Sequence, residues 1–311
     1  MHPPDERTPD SGIHAVIVTC QPDLAALDAQ LQRLAPQLAS IIVIDNASAP
    51  ELLATLEMQV LAPGGALVAN ESNLGVAAAL NQGIAIARGM GARHVLLMDQ
   101  DSLPAPDMVA RLHDALRILE LQGERVAAVG PVAEDLRTGE AAPFVRIGFP
   151  LNHKIHVEAG EVVACDFLIT SGCLVPMAAL EEVGGFDASL FIDNVDLDWS
   201  FRATRAGYAL YGIGDARMGH RIGDDIRRMP LGASFVHSPT RLYYMMRNRI
   251  LLYRRGSTPR LWVAQDLPRA LLKLVRFSLF AAPRLANARA MLAGVRDGLL
   301  GRSGPKPEPG N

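Results

Sequence analysis

Between residues 13 and 98, short runs of apolar and β-branched residues alternate with stretches of helical periodicity, and this alternation restricts the chain more than any other feature. Ala15–Thr19, Ile41–Ile44, Ala66–Ala69 and Val95–Met98 have strand length, and helical patterns lie between them near Leu24–Ala35, Glu51–Leu56 and Val76–Arg88. A strand that is apolar on both faces must be covered on both. Strands joined by helices pair in parallel, so the spacing predicts a parallel sheet flanked by helices, a Rossmann-type half. Ligands of such sheets gather beyond the carboxyl ends of the strands. The polar clusters Thr19-Cys20-Gln21, Asp45-Asn46-Ala47-Ser48 and Asp99-Gln100-Asp101 fall there. No Gly-x-Gly-x-x-Gly follows the first strand and no Gly-Lys-Ser/Thr occurs, which moves nicotinamide enzymes and P-loop NTPases down the list.

Composition narrows the class further. With 311 residues, 49% hydrophobic and a net charge of −3, the chain has the makeup of a globular protein of one large or two modest domains. Three cysteines without paired spacing argue against a disulfide framework or thiolate zinc site and point to a reducing compartment. The first twelve residues lack the apolar core of a secretory signal, and no stretch approaches the roughly 18–20 apolar residues of a membrane span. The expected location is cytoplasmic, in solution or on the inner face of the cytoplasmic membrane. Charge is lopsided: residues 241–311 carry 14 Lys/Arg against 3 Asp/Glu, whereas residues 1–240 carry 16 against 30. Such asymmetry suggests an anionic contact near the C-terminal end.

Past residue 100 the pattern is mixed, with a helix over Pro106–Leu121 and strands near Val126–Val129 and Val162–Thr170. Arg241–Arg255 is basic and aromatic, and Trp262–Leu300 reads as two basic amphipathic helices broken near Pro283. The expected organisation is a tail over 1–12, a main domain over 13–255 with its Rossmann-type half over 13–103, a helical extension over 256–302 and a second tail over 303–311.

Three segments carry chemistry. Val95–Ser102 delivers Asp99 and Asp101 to the end of a buried strand, where Mg²⁺ or Mn²⁺ shared with a substrate diphosphate finds oxygen ligands; a solvated turn capping the next helix is the plain alternative. Phe191–Trp199 crowds Asp193, Asp196 and Asp198 beside aromatic surface, where a carboxylate of raised pKa serves as general base. Asp196 and Asp198 lie roughly 200° apart on a helix, so only one faces a given site, and Asp196 is the choice. Ser72–Gly83, with Asn73 and Gly75, places small residues at a helix start suited to an anion or simply to close packing. His220 can complete a divalent-metal shell, although a lone histidine is more often structural. Arg247 and Arg249 offer guanidinium forks to phosphate, or form a basic helix face.

In order, Val16–Thr19, Val43–Ser48, Asn73–Ala77, Leu97–Ser102, Ser171-Gly172, Gly184–Asp187, Leu190–Asp196 and Tyr243–Arg249 resemble the family 2 glycosyltransferases of GT-A fold over about residues 13–255. The resemblance is strongest to bacterial rhamnosyltransferases that use dTDP-L-rhamnose in O-antigen or related polysaccharide assembly. It implies an α/β fold with a mostly parallel mixed sheet, a glycosyltransferase domain over 13–255 with a nucleotide-binding half over 13–103 and an acceptor and catalytic half over 104–255. It also implies an inverting, metal-dependent transfer from a nucleotide-sugar to a saccharide or lipid-linked acceptor, with Mg²⁺ or Mn²⁺ as cofactor. By the same resemblance Thr19 and Asp45 hold the nucleoside, Asp99 the ribose or metal, Asp101 the metal, and Asp196 is the base. His220 falls where relatives place a metal or diphosphate ligand. Asn46, Asn73, Gly75, Gly172, Asp193, Trp199 and Arg247 fall on the substrate side. Val195 stands where the family commonly has Glu, and Cys20-Gln21 where an aromatic residue and Asn are usual. The implied partners include no nucleic acid. A homo-oligomer or a peripheral membrane contact through residues 261–300 would give the basic C-terminal helices a purpose. A haloacid-dehalogenase-like phosphatase would carry its Asp-x-Asp on the first strand, a pyrophosphorylase would have a Gly-rich basic opening, and a non-catalytic nucleotide-sugar binder would dispense with Asp196.

Overall fold

The computed structural model describes residues 12–61, 64–220, 226–229, 232–235 and 237–306. Its strands are β1 (Ile13–Thr19), β2 (Ser40–Asn46), β3 (Ala66–Asn70), β4 (His94–Met98), β5 (Leu103–Pro104), β6 (Val126–Asp135), β7 (Phe144–Arg146), β8 (His153–Ile155), β9 (Val162–Cys165), β10 (Cys173–Pro176), β11 (Ala209–His220), β12 (Ile226–Met229) and β13 (Gly232–Phe235). The helices are α1 (Leu24–Leu34), α2 (Pro50–Leu61), α3 (Val76–Gly89), α4 (Met108–Leu121), α5 (Met177–Val183), α6 (Val195–Arg205), α7 (Pro239–Tyr253), α8 (Arg260–Leu279) and α9 (Arg284–Leu299).

The main sheet runs β3-β2-β1-β4-β10-β6-β11-β5, with β9 paired to β11. Strands β1 to β4 are parallel, as the alternation predicts, while β10 runs antiparallel between β4 and β6. Alternate side chains of each parallel strand enter opposite cores. Val16, Ile42, Val95 and Leu97 meet α3 on one face; Ile17, Val43, Leu96 and Met98 meet α1, α2 and α4 on the other. The result is the α/β sheet between helical layers that the sequence implies.

Three details differ from the sequence pattern. The run from Val162 is a strand only to Cys165, because the chain must then turn to bring Ser171 beside the end of β4. The C-terminal helices are not a free extension. Trp262 packs on Phe201 with ring centres 5.4 Å apart, and Phe277 and Met291 share a core with Leu242 and Met246 of α7. Trp262 and Phe277, two aromatic residues of the segment read as able to contact a membrane, are therefore buried. The second tail is also partly structured, since Gly304 N donates to Ser189 O and Lys306 N to the Tyr244 hydroxyl. Residues 1–11 and 307–311 lie outside the described residues. No helix among the described residues is long and apolar enough to cross a membrane.

Candidate active site

An open cleft of about 800 Å³ lies where the parallel strands end. Thr19, Cys20, Asn73, Gly75, Asp99 and Asp101 line one side, and Phe191, Ile192 and Arg241 the other.

The turn after β4 is fixed from below. Buried Gln30 of α1 donates through Nε2 to the carbonyls of Asp99 and Ser102, each at 2.8 Å. Strand β5 then pairs with Met218 and Gly219, so β11 carries His220 to the same turn. His220 Nδ1 lies 2.8 Å from Ser102 Oγ and 3.3 Å from Asp99 Oδ2, and Ser171 Oγ donates to that Oδ2 at 2.5 Å. One donor atom from each of Asp99, Asp101 and His220 falls within a 4.8 Å group. Asp99 Oδ1 is buried and accepts no hydrogen bond among the described residues. A buried acceptor left so costs about 1–3 kcal/mol, and a cation would relieve it. Two carboxylates and an imidazole make a donor set that suits Mg²⁺ or Mn²⁺.

The opposite wall is a strained turn. Phe191, Asp193 and Asn194 have φ of 66°, 63° and 63° just before α6. Residues other than glycine hold this conformation at a cost of about 1–3 kcal/mol each when the surroundings enforce it. Helix α7 enforces it here. Asn248 Nδ2 donates to the carbonyls of Leu190, Ile192 and Asp193 at 2.9, 2.7 and 2.9 Å. Arg247 Nη2 donates to Leu190 O at 2.9 Å, and Nη1 to Gly304 O.

Asp196, in the first turn of α6, faces a narrow gap lined with Leu97, Thr170, Cys173 and Trp199. Burial, reinforced by the charge of Asp193, pushes its carboxyl up to about 6 against the pull of the Leu197 amide. That poises it for proton transfer near neutral pH. Asp198 is fully buried and tied to Arg202 at 2.9 Å and to Arg255, so of the two only Asp196 lines this gap. The gap shares Leu168 and Ile169 with an apolar pocket that Ser171 also lines. Asp196 thus lines this gap and is not among the residues that line the cleft of Asp99 and Asp101.

Other residues expected at the substrate play supporting parts. Asp45 is fully buried, and Thr19 Oγ1 (2.8 Å), Ser48 N (2.7 Å) and Ser48 Oγ (2.6 Å) use its oxygens, so it shapes the turn after β2 instead of facing a nucleoside. Thr19 lines the cleft but spends its hydroxyl proton on Asp45. Asn46 also lines it, yet donates to Gly75 O at 3.2 Å and accepts from Asn70 at 3.0 Å. Asn73 Oδ1 accepts from Gly75 N at 2.9 Å. Gly172, with φ of 79°, sits under Pro131 and Met218 and yields the contact to its neighbour Ser171. Trp199 is in the core, donating to Gly184 O at 2.9 Å. Arg247 is 1% exposed and committed to backbone carbonyls, so it does not reach phosphate. Asp193 is paired with Arg241 at 3.2 Å. Gln30, Ser102, Ser171, Arg241 and Asn248 carry parts the motifs did not assign. Only the partners that topology brings to them reveal those parts.

A mixed sheet with an acid-rich turn and an imidazole at the end of its central parallel strand is the GT-A architecture of sugar-nucleotide transferases. The family model "Glycosyl transferase family 2" matches residues 15–160. A dTDP-rhamnosyl transferase, RfbF of Shigella flexneri, is 30% identical over 301 residues, covering 95% of this chain and 98% of the relative. The chain belongs to glycosyltransferase family 2. Solved structures share the fold at low identity. GalNAc-T7 with UDP, GalNAc and Mn²⁺ superposes with a TM-score of 0.58 at 14% identity over 93% of this chain, which spans 56% of that larger protein. TarS 1–349 of S. aureus in complex with UDP-GlcNAc gives 0.57 at 16% identity, covering 93% of this chain and 81% of TarS 1–349.

Proposed function

We propose that this glycosyltransferase moves L-rhamnose from dTDP-L-rhamnose to a hydroxyl of a saccharide or lipid-linked acceptor, inverting the anomeric centre, in cell-surface polysaccharide synthesis at the cytoplasmic face of the membrane. The donor assignment leans on the 30% identical relative, whose printed activity is dTDP-rhamnosyl transfer. The observation that carries the reaction type is the meeting of Asp99, Asp101 and His220 at the cleft, with one Asp99 oxygen buried and unbonded. These three residues would hold Mg²⁺ or Mn²⁺, which when bound offsets the charge gathering on the departing diphosphate. Gln30 and Ser171 hold the Asp99 carboxylate and its backbone in place. Asp196, ionised above about pH 6, accepts the proton of the attacking hydroxyl. One carboxylate suffices for a single displacement, since no covalent intermediate needs a second.

The test is release of nucleoside diphosphate from a panel of nucleotide-sugars, with Mn²⁺ and with excess chelator, in wild type and Asp101→Asn. Chelation and the substitution should each lower turnover by about 10²–10³, the worth of a lost electrostatic stabiliser. dTDP-L-rhamnose should raise the melting temperature most among the donors. Undiminished turnover in chelator would overturn the metal-assisted reading, and preference for another donor would overturn the rhamnosyl assignment.

A further inference from the structure

Beside Asp193, helices α7 and α8 enclose a group of charges that the transfer described above does not use. Arg241 Nη2 lies 3.2 Å from Asp193 Oδ1, and Arg249 Nε lies 3.0 Å from Asp266 Oδ2, which also accepts from the Tyr253 hydroxyl at 2.6 Å. These charges cancel in pairs and leave Lys273 over. Its Nζ donates to Met245 Sδ at 3.5 Å and lies 5.7 Å from the centre of the Phe277 ring. Arg249 Nη1 and His237 Nδ1 are buried with no hydrogen-bond partner among the described residues. Burial, with Arg249 and Arg241 adding to it, holds the Lys273 ammonium down to about 7; burial and then Lys273, Arg241 and Arg249 hold His237 down to about 4. The four side chains therefore share one electrostatic environment.

We infer that Arg241, Arg249 and Lys273 form an anion subsite that takes the phosphate or diphosphate group of the acceptor, apart from the Asp99, Asp101 and His220 group. Out of water and with no carboxylate at ion-pair distance among the described residues, the Lys273 amine is driven toward its neutral form, and a bound phosphate would supply the charge that restores the ammonium. The idle Arg249 Nη1 and the Lys273 protons are the donors that phosphate oxygens accept from. Arg241 joins this group to the cleft, because it lines the cleft wall while holding Asp193. Asp193, paired with Arg241, acts electrostatically both on Lys273 and on Asp196, the residue proposed as base. Helix α8, which carries Lys273, exposes Leu267, Leu271, Val275 and Leu279 at four-residue spacing. This stripe suits a phosphate carried on a lipid, although a phosphate on a free acceptor offers the same oxygens to Lys273. The inference rests on the glycosyltransfer reading for its choice of acceptor over donor.

The experiment titrates the full chain with inorganic pyrophosphate and with farnesyl diphosphate, in chelator so that the Asp99 group is silent. Wild type should bind both. Lys273→Met should weaken both by about 10- to 100-fold, the worth of a charged hydrogen bond, and Arg241→Gln should weaken them in the same direction. Lys273→Met should melt no lower than wild type, since a desolvated amine with no ion-pair partner among the described residues is replaced by an apolar side chain, and should keep Mn²⁺-dependent nucleotide-sugar binding. Tighter binding of farnesyl diphosphate than of pyrophosphate assigns the phosphate to a lipid-linked acceptor, and equal binding assigns it to a free one. No pyrophosphate binding by wild type, or equal binding by wild type and both variants, overturns the subsite. Failure of nucleotide-sugar binding with Mn²⁺ would instead overturn the glycosyltransfer reading, and the chelator titration remains independent of that outcome.

Discussion

The rim of the parallel strands and the turn from Leu190 to Asp198 are both crowded with carboxylates, yet they are built by different means. At the rim, Asp99 and Asp101 follow β4 and are steadied by Gln30, Ser102 and Ser171 around one strand end. The turn takes backbone angles that its own residues disfavour, and Asn248 and Arg247 of α7 hold it there. At the rim the carboxylates face a polar cleft, whereas in the turn Asp198 is neutralised by two arginines and Asp196 is left desolvated. The contrast teaches that a carboxylate's chemistry follows from its partners: two side chains two residues apart on one helix divide into a structural anchor and a desolvated carboxyl, the one proposed as base.

The largest test of that division is Asp196→Asn. Turnover should fall by about 10²–10⁴, the usual worth of a general base, while binding of the nucleotide-sugar to the rim survives. Near-normal turnover in a rapid-quench assay would move the base elsewhere.

Asn248→Ala comes next. Losing one amide that serves three carbonyls should cost about 2–3 kcal/mol in denaturant unfolding. Turnover should drop with the donor's apparent affinity unchanged, since the rim has its own supports. A drop in donor affinity equal to the drop in turnover would mean that the two regions are not separately held.

The smallest effect is on stability against pH. In the unfolded chain Asp196 titrates near 3.8, and in the fold burial raises it to about 6. The folded state therefore favours the protonated form. Its contribution to stability is complete below about pH 4 and lost as pH rises through 6. Asp196→Asn should escape that loss and exceed wild type by about 1–2 kcal/mol at pH 8, a figure reduced for solvent screening, with the curves converging near pH 4. Parallel curves across that range would show that the carboxyl is not desolvated.

This contrast also explains what the amino-acid pattern revealed. The parallel sheet and the approach of Asp99, Asp101 and His220 were legible, the sheet because buried strands advertise themselves by composition and the three residues because family motifs marked them. Asp45 misled because an acidic residue after a strand looks the same whether it meets a ligand or ties its own turn. Arg247 misled for a related reason: a guanidinium fork suits phosphate and carbonyl oxygens alike, and only the fold brings Leu190 and Gly304 to it. The short antiparallel strand β10 had no local signature, being four residues placed by its neighbours.

One backbone contact joins the two regions. Gly75, with φ of 85°, ends the loop before α3, where an added Cβ would fall 2.6 Å from Phe191 O, and the next amide, Val76 N, donates to that same oxygen at 2.8 Å. Hybrid enzymes made by grafting a relative's counterpart of residues 13–103 onto the rest of this chain inherit a steric condition at the join. A graft that brings any side chain to position 75 pushes the two halves apart, so exchanging donor specificity between relatives depends on a residue that need touch neither sugar.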